Sequence, residues 1–136
     1  MSSILTIAVS GISAASERLQ DSANNVANAE SDGPTPEASA AIQAQYPPAY
    51  TPKQVHQVPL ADGGTEAITT NVQPSTVLAY DPTAPYADTD GDVAKPNVDL
   101  TTEAYQQLTA RYDFVMNAYV MRIYSRMQKT LLDIQT

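Results

Sequence analysis

From Leu5 onward the chain reads Leu5-Thr6-Ile7-Ala8-Val9-Ser10-Gly11-Ile12-Ser13-Ala14-Ala15-Ser16-Glu17-Arg18-Leu19, and this stretch decides the architecture. Leu5, Ile12, Leu19 and Val26 recur every seven residues, and Val9, Ser16 and Ala23 fill the offset of four. A 4-3-4-3 spacing is the seam of a coiled-coil-like helix. Around the seam the residues are small: Ala8, Ser10, Gly11, Ser13, Ala14 and Ala15. Small side chains let neighbours approach closely. Glycine in a helix interior costs about 1 kcal/mol relative to alanine, so Gly11 needs a neighbour that compensates. The spacing predicts an axial helix within residues 1–30.

A second long helix is predicted within residues 98–136. Asp99 is placed to cap its N-terminus, and Glu103 adds first-turn acid that suits the helix dipole. Leu108, Tyr112, Val115, Tyr119, Ile123, Met127, Leu131 and Ile134 then step by 4-3-4-4-4-4-3. The mean step exceeds 3.6, so this stripe drifts opposite to a strict heptad. Arg122, Arg126 and Lys129 are expected in the last turns, where cations also suit the dipole. The helix should be roughly 50 Å long. Two such helices with one apolar stripe each are expected to pair with each other, antiparallel, because the intervening chain must connect them.

That intervening segment, residues 31–97, is different in kind. All ten prolines lie between Pro34 and Pro96, and the flanks have none. Proline removes a helical N–H and clashes with the preceding turn, so long helices are confined to the flanks. Residues 30–97 carry nine acids and two bases, while residues 98–136 carry four of each. Gln54–Val58, Glu66–Val72 and Thr76–Tyr80 read as short strands, with Asp62-Gly63-Gly64 as a turn between the first two. Residues 31–52 lack periodicity and read as loop. The fold expected is mainly α: long N- and C-terminal helices packed as an antiparallel coiled-coil-like pair, with a small Pro-rich β/loop insert of two or three strands.

Composition narrows the function. The chain has 136 residues, no Cys, one His and a net charge of −8. Without Cys there is neither a disulfide frame nor a thiolate site. Acidity with no basic footprint argues against nucleic acid and anionic membranes. No apolar run approaches the roughly 18–20 residues that span a bilayer. The apolar stretch after Ile4 lacks a basic start, the first base being Arg18, so a cleaved signal is not expected. Asp88-Thr89-Asp90-Gly91-Asp92 invites a calcium reading with Asp99 at position 12. However, Val93 stands at position 6, where the loop turn needs Gly, so a solvated acidic turn is expected. His56 has no acid or hydroxyl beside it in sequence. No phosphate loop, nucleophile elbow or carboxylate pair is present. We expect no enzyme activity, no cofactor, no metal and no small-molecule substrate.

The flanks together resemble the bacterial flagellar axial proteins, specifically the basal-body rod proteins. Ala8 to Leu19 is similar to that family's small-residue, Ser-Gly-apolar opening with its Arg-Leu pair. Ser22-Ala23-Asn24-Asn25-Val26-Ala27-Asn28-Ala29-Glu30-Ser31 resembles its Asn-rich signature. Tyr80-Asp81-Pro82 and Lys95-Pro96-Asn97-Val98-Asp99 resemble its short proximal-rod members. Residues 5–31 and 78–136 carry the likeness, and residues 32–77 fit loosely. The last helix departs from the family pattern, with Tyr112-Asp113-Phe114-Val115-Met116 after Arg111 where Tyr-Gln-Ala-Asn is usual.

The resemblance implies a structural rod subunit of the flagellar basal body. Its terminal helices would pack antiparallel and line the inner tube, and its middle would face outward. It further implies a periplasmic rod built helically around a central channel, with export through the flagellar type III system. Partners would be copies of itself, the other rod subunits, and the surrounding ring and export gate. The assembly interface expected on that basis is Leu5, Val9, Ile12, Leu19 and Val26 on the first helix. On the second it is Leu108, Tyr112, Val115, Tyr119, Ile123, Met127, Leu131 and Ile134. The rival readings are another axial subunit, from rod or hook side, and a free-standing coiled-coil interaction module or metal-binding domain.

Overall fold

The computed structural model describes residues 4–134. Two long helices, α1 (Ile4–Ala27) and α3 (Leu100–Ile134), enclose the middle segment in sequence. That segment holds a short helix α2 (Ala40–Gln45) and four strands: β1 (Lys53–Pro59), β2 (Thr65–Asn71), β3 (Thr76–Tyr80) and β4 (Asp92–Pro96). The fourth strand and α2 exceed the two or three strands expected. β4 follows the acidic turn directly and carries Val93, too brief an apolar signal to stand out from the loop.

The strands form two separate antiparallel pairs. β1 and β2 run from Lys53↔Asn71 to Pro59↔Thr65. Their connection uses the expected Gly63 and Gly64, at φ +88° and +96°, backbone that side chains with a Cβ rarely adopt. The hairpin lies along α1. Thr65 N donates to Ser10 Oγ (3.1 Å) near the tip, Thr69 Oγ1 to Asp21 Oδ2 (2.8 Å), and Asn25 Nδ2 to Lys53 O (2.7 Å) at its base.

β3 and β4 pair from Thr76↔Pro96 to Tyr80↔Asp92. On the far side of β4, Gly33 and Ala94 exchange two backbone hydrogen bonds of 2.9 Å. A Cβ on Gly33 would collide with the Ala49 backbone nitrogen. This second sheet therefore sits at the end of the molecule where α1 stops and α3 starts.

Asp99 caps α3 as expected. Its carboxylate accepts from Thr101 N (2.8 Å) and Thr102 Oγ1 (3.0 Å). The Thr101 amide, first among these donors, holds the Asp99 carboxyl below the usual aspartate value. The C-terminal expectation needs correction. The final turn of α3 holds no base. The helix continues past Lys129 to Ile134, and dipole effects fade within the last turn. Arg122, Arg126 and Lys129 are thus not dipole partners.

The core is built from small residues. Ala8, Ala14, Ala15, Ala29, Ala38, Val93, Ala94 and Ala110 are its buried hydrophobic members, joined by Ser22, Asn25 and Thr35. No leucine, isoleucine, methionine or aromatic residue is fully buried among the described residues. No helix of the described residues is long and apolar enough to cross a membrane.

Candidate assembly interface

Three contacts define how α1 meets α3. A Cβ on Gly11 would lie 2.6 Å from Asn117 Oδ1. Arg18 reaches Gln106 Oε1 and Thr109 Oγ1 with Nη2 (both 3.2 Å), and pairs with Asp113 through Nη1 (2.8 Å). Ser22 Oγ donates to Glu103 O (3.1 Å). The contacts run in opposite orders along the two helices. Gly11 is the close approach that its helix cost requires. The departure after Arg111 also acquires a role, since Asp113 is the acid that Arg18 takes.

Asn25 closes the same face. It is only 1% exposed and uses every polar atom it has. Nδ2 donates to Lys53 O and to Glu103 Oε1 (2.8 Å), while Oδ1 accepts from Tyr50 OH (3.1 Å) and Lys53 N (2.9 Å). One side chain therefore ties α1 to α3, to β1 and to the loop before β1. A buried amide is tolerated only when satisfied, and this one is. Burial also pushes the Tyr50 phenol up.

The inward stripe of α1 is Ala8, Gly11, Ala15, Arg18, Ser22 and Asn25. The predicted seam is displaced from it, because three residues turn a helix by 300° and so leave Leu5, Ile12 and Leu19 roughly 60° from Ala8, Ala15 and Ser22. On α3 the inward residues are Glu103, Gln106, Ala110, Asp113 and Asn117. Leu108, Tyr112 and Val115 each stand two positions from one of these, roughly 160° around the helix. The expectation that the two apolar stripes meet each other inside the chain is therefore corrected. The helices join through small and polar side chains, which allow closer approach than leucine or tyrosine.

Of the thirteen expected interface residues, Leu5 and Ile12 are half-buried. The other eleven are exposed: Val9, Leu19, Val26, Leu108, Tyr112, Val115, Tyr119, Ile123, Met127, Leu131 and Ile134. Tyr112 is 69% exposed and Leu131 63%. An open groove of about 340 Å³ brings the outer faces together, lined by Ser16, Leu19, Gln20, Ala23, Arg111 and Phe114. Phe114 had no place in the stripe read from sequence, since it lies one step off its spacing. The clamps at Arg18, Ser22 and Asn25 were also missed. Their signals were the small, polar composition between the apolar positions and their place in the two stretches that carry the family resemblance.

The acidic turn has its own use. Asp88 Oδ1 accepts from Asp90 N (3.0 Å) and Asp92 N (2.9 Å), and Oδ2 accepts from Thr35 Oγ1 (3.0 Å). The Asp92 amide, first among these donors, holds the Asp88 carboxyl low. Both oxygens thus serve to close the turn and tether the loop containing Thr35. His56 opens onto a polar cleft of about 440 Å³ that also includes Arg18, Lys53, Asp99 and Glu103.

The arrangement defines a class of protein in which two long helices are locked to each other by polar clamps, with their large apolar side chains left outside. No family model matches the chain. Curated relatives do. The flagellar basal-body rod protein FlgC of Salmonella typhimurium is 35% identical over 131 residues, covering 94% of this chain and 93% of the relative. Proteins of the same description from Escherichia coli O157:H7 and Yersinia enterocolitica are each 36% identical, with the same coverage. The chain belongs to the FlgC family of flagellar basal-body rod proteins.

Proposed function

We propose that this chain is a building block of the flagellar rod whose apolar stripes are completed by neighbouring subunits. The carrying observation is the division of labour on α1 and α3. Packing within the chain uses the small and polar stripes, and the large apolar side chains remain exposed. Exposed apolar area costs about 25 cal/mol per Å² relative to burial, and eleven large exposed side chains on the two helices make a surface that association would cover. The interface is Leu5, Val9, Ile12, Leu19 and Val26 with Leu108, Tyr112, Val115, Tyr119, Ile123, Met127, Leu131 and Ile134.

In this reading the antiparallel pair of terminal helices, residues 1–30 and 98–136, forms the inner wall of a helically built tube with a central channel. The acidic segment 31–97 faces outward. The subunit carries torque by joining its neighbours, which are copies of itself and other rod subunits, with the surrounding ring and export gate at its boundaries. It reaches a periplasmic position through the flagellum's own export apparatus without a cleaved signal. Its work is mechanical and uses no cofactor and no substrate. What supports this is the rod-protein relationship and the chemistry of the two helix faces.

The test compares Leu19→Asp with Asp62→Ala. Leu19 lies mid-stripe, so an aspartate there puts an unpaired charge into a desolvated helix contact, costing several kcal/mol per subunit. Rod formation and motility should be lost. Asp62 is exposed in the hairpin connection, and its loss should cost within about 0.5 kcal/mol. Motility in soft agar is scored together with export. Normal swimming by a strain exporting Leu19→Asp would overturn the reading.

A further inference from the structure

Three aspartates are followed directly by glycine: Asp32-Gly33, Asp62-Gly63 and Asp90-Gly91. This step has a chemistry of its own. Glycine has no Cβ to hinder approach, so its amide nitrogen can bond to Cγ of the preceding aspartyl carboxyl. The amide proton and the carboxyl hydroxyl leave as water, and a five-membered succinimide forms. Water then opens the ring at either carbonyl. One product is aspartate again. The other is isoaspartate, whose main chain runs through Cγ and is one carbon longer. No oxidant or further reactant enters.

The structure separates the three steps. Ring closure requires the peptide between the two residues to turn, so a glycine that is packed and bonded on both sides is held back. Gly33 is buried and exchanges two 2.9 Å backbone hydrogen bonds with Ala94. Gly91 is buried, and a Cβ on it would lie 2.9 Å from the Tyr80 ring. It accepts from Asp81 N (2.9 Å) and donates to Asp88 O (3.2 Å), while Asp90 N donates to Asp88 Oδ1 (3.0 Å). Asp62 and Gly63 are both exposed, in the connection between β1 and β2. The Gly63 amide has one turn bond to release, to Leu60 O (3.0 Å). Local opening of a surface turn costs less than opening a buried bridge.

We propose that Asp62-Gly63 is a site of self-modification, which converts to isoaspartate in the folded protein while Asp32 and Asp90 are protected. The site stands independently of the rod-subunit reading. It is also a place where one added carbon changes the structure. Leu60 N donates to Gly64 O (3.2 Å) across the turn, and Thr65 N donates to Ser10 Oγ of α1 (3.1 Å). Gly64 lies so near α1 that a Cβ on it would stand 2.5 Å from Ser10 Oγ. A longer chain has no room to bulge toward the helix, so the hairpin tip lifts away from Ser10. The base of the hairpin, where Val72 N donates to Pro52 O (2.9 Å), stays in place.

The purified full-length chain is incubated in water enriched in heavy oxygen, once folded and once in denaturant. Each ring opening leaves one heavy oxygen on the residue, and fragmentation mass spectrometry locates it. Rates in the folded chain are divided by those in denaturant. On that scale Asp62 should label about tenfold faster than Asp32 or Asp90, or more. Isoaspartate at position 62 is read separately, as resistance to a protease that cuts before aspartate. Equal labelling of the three sites in the folded chain, faster labelling at Asp32 or Asp90, or none at Asp62 overturns the proposal. Asp62→Glu keeps the charge, but its ring would need six members and closes slowly, so label at this position should disappear. Label persisting there in the folded variant overturns the succinimide route. In the converted fraction the Thr65 amide should exchange about tenfold faster or more, with the Val72 amide unchanged. An unchanged Thr65 amide, or equal loss of protection at both, overturns release of the tip.

Discussion

The two halves of α3 carry the same apolar stripe in opposite circumstances. Up to Asn117 the helix is held against α1 by Arg18, Ser22, Asn25 and the approach at Gly11. Beyond Ser125 it is exposed on every side. The stripe from Leu108 to Ile134 runs through both halves and is exposed in both. Being packed inside the subunit therefore does not use up the apolar face. What holds the chain together and what the helix leaves exposed are different residues on one helix. In most small domains a single apolar stripe holds the helix to its own core, and here that stripe is left exposed.

The largest effect should come from setting the two faces of the packed half against each other. Ala110 is 1% exposed on the inward face, and Val115 is exposed on the outward one. Ala110→Asp would bury an unpaired charge and separate α3 from α1, costing about 3 kcal/mol or more in chemical denaturation. Val115→Asp should leave the isolated chain within about 0.5 kcal/mol of the parent yet block assembly. Equal damage to the isolated chain from both changes would erase the distinction between the faces.

Asn25→Ala should come next. It strands Lys53 N and the Tyr50 hydroxyl without their acceptor and removes two bonds to α3 and β1. A loss of roughly 2 kcal/mol is expected, with the second half of α3 unaffected. If denaturation midpoints hardly move, the polar clamp is not what secures the packed half.

Amide exchange on the dilute chain sharpens the contrast without mutation. Helix nucleation is costly and the end of α3 has no tertiary support. Residues 125–134 should exchange like free chain, and residues 103–117 at least tenfold more slowly. Uniform strong protection along α3 would mean that this end is stable alone and needs no neighbour.

The smallest effect is a pH dependence confined to the acidic end. Asp81, Asp88 and Asp99 are each held below the ordinary value of 3.8 by hydrogen bonds from Thr83, from Asp92 and from Thr101. A depressed folded value contributes stability that is present above 3.8 and lost as pH falls through the folded values. Asp32 acts the other way, because burial raises its carboxyl above 3.8 and protonation relieves that cost. Melting temperature should therefore hold between pH 5 and 7 and drop only below about 4. Loss of stability between pH 6 and 7 would contradict these assignments.

Much of the outline was legible in the sequence. Proline confined to residues 34–96 left both flanks free for long helices, and α1 and α3 occupy them. Asp99 could be recognised as a cap and Gly63-Gly64 as a turn, because each depends on a few adjacent residues. The apolar stripes could be listed position by position, since periodicity is local. β4 and α2 were too short and too weakly patterned to be seen.

What faces what was decided only in three dimensions. Periodicity marks which side chains share a face, but not whether the chain itself covers that face. The inward stripe was settled by close approach: alanine, glycine and serine let the helix backbones come near, and Arg18 and Asn25 found partners 78–95 residues away. Those pairings depend on the loop returning α3 alongside α1, which no local pattern encodes. The apolar residues were left outside because helices meeting over small side chains have no room for leucine or tyrosine between them.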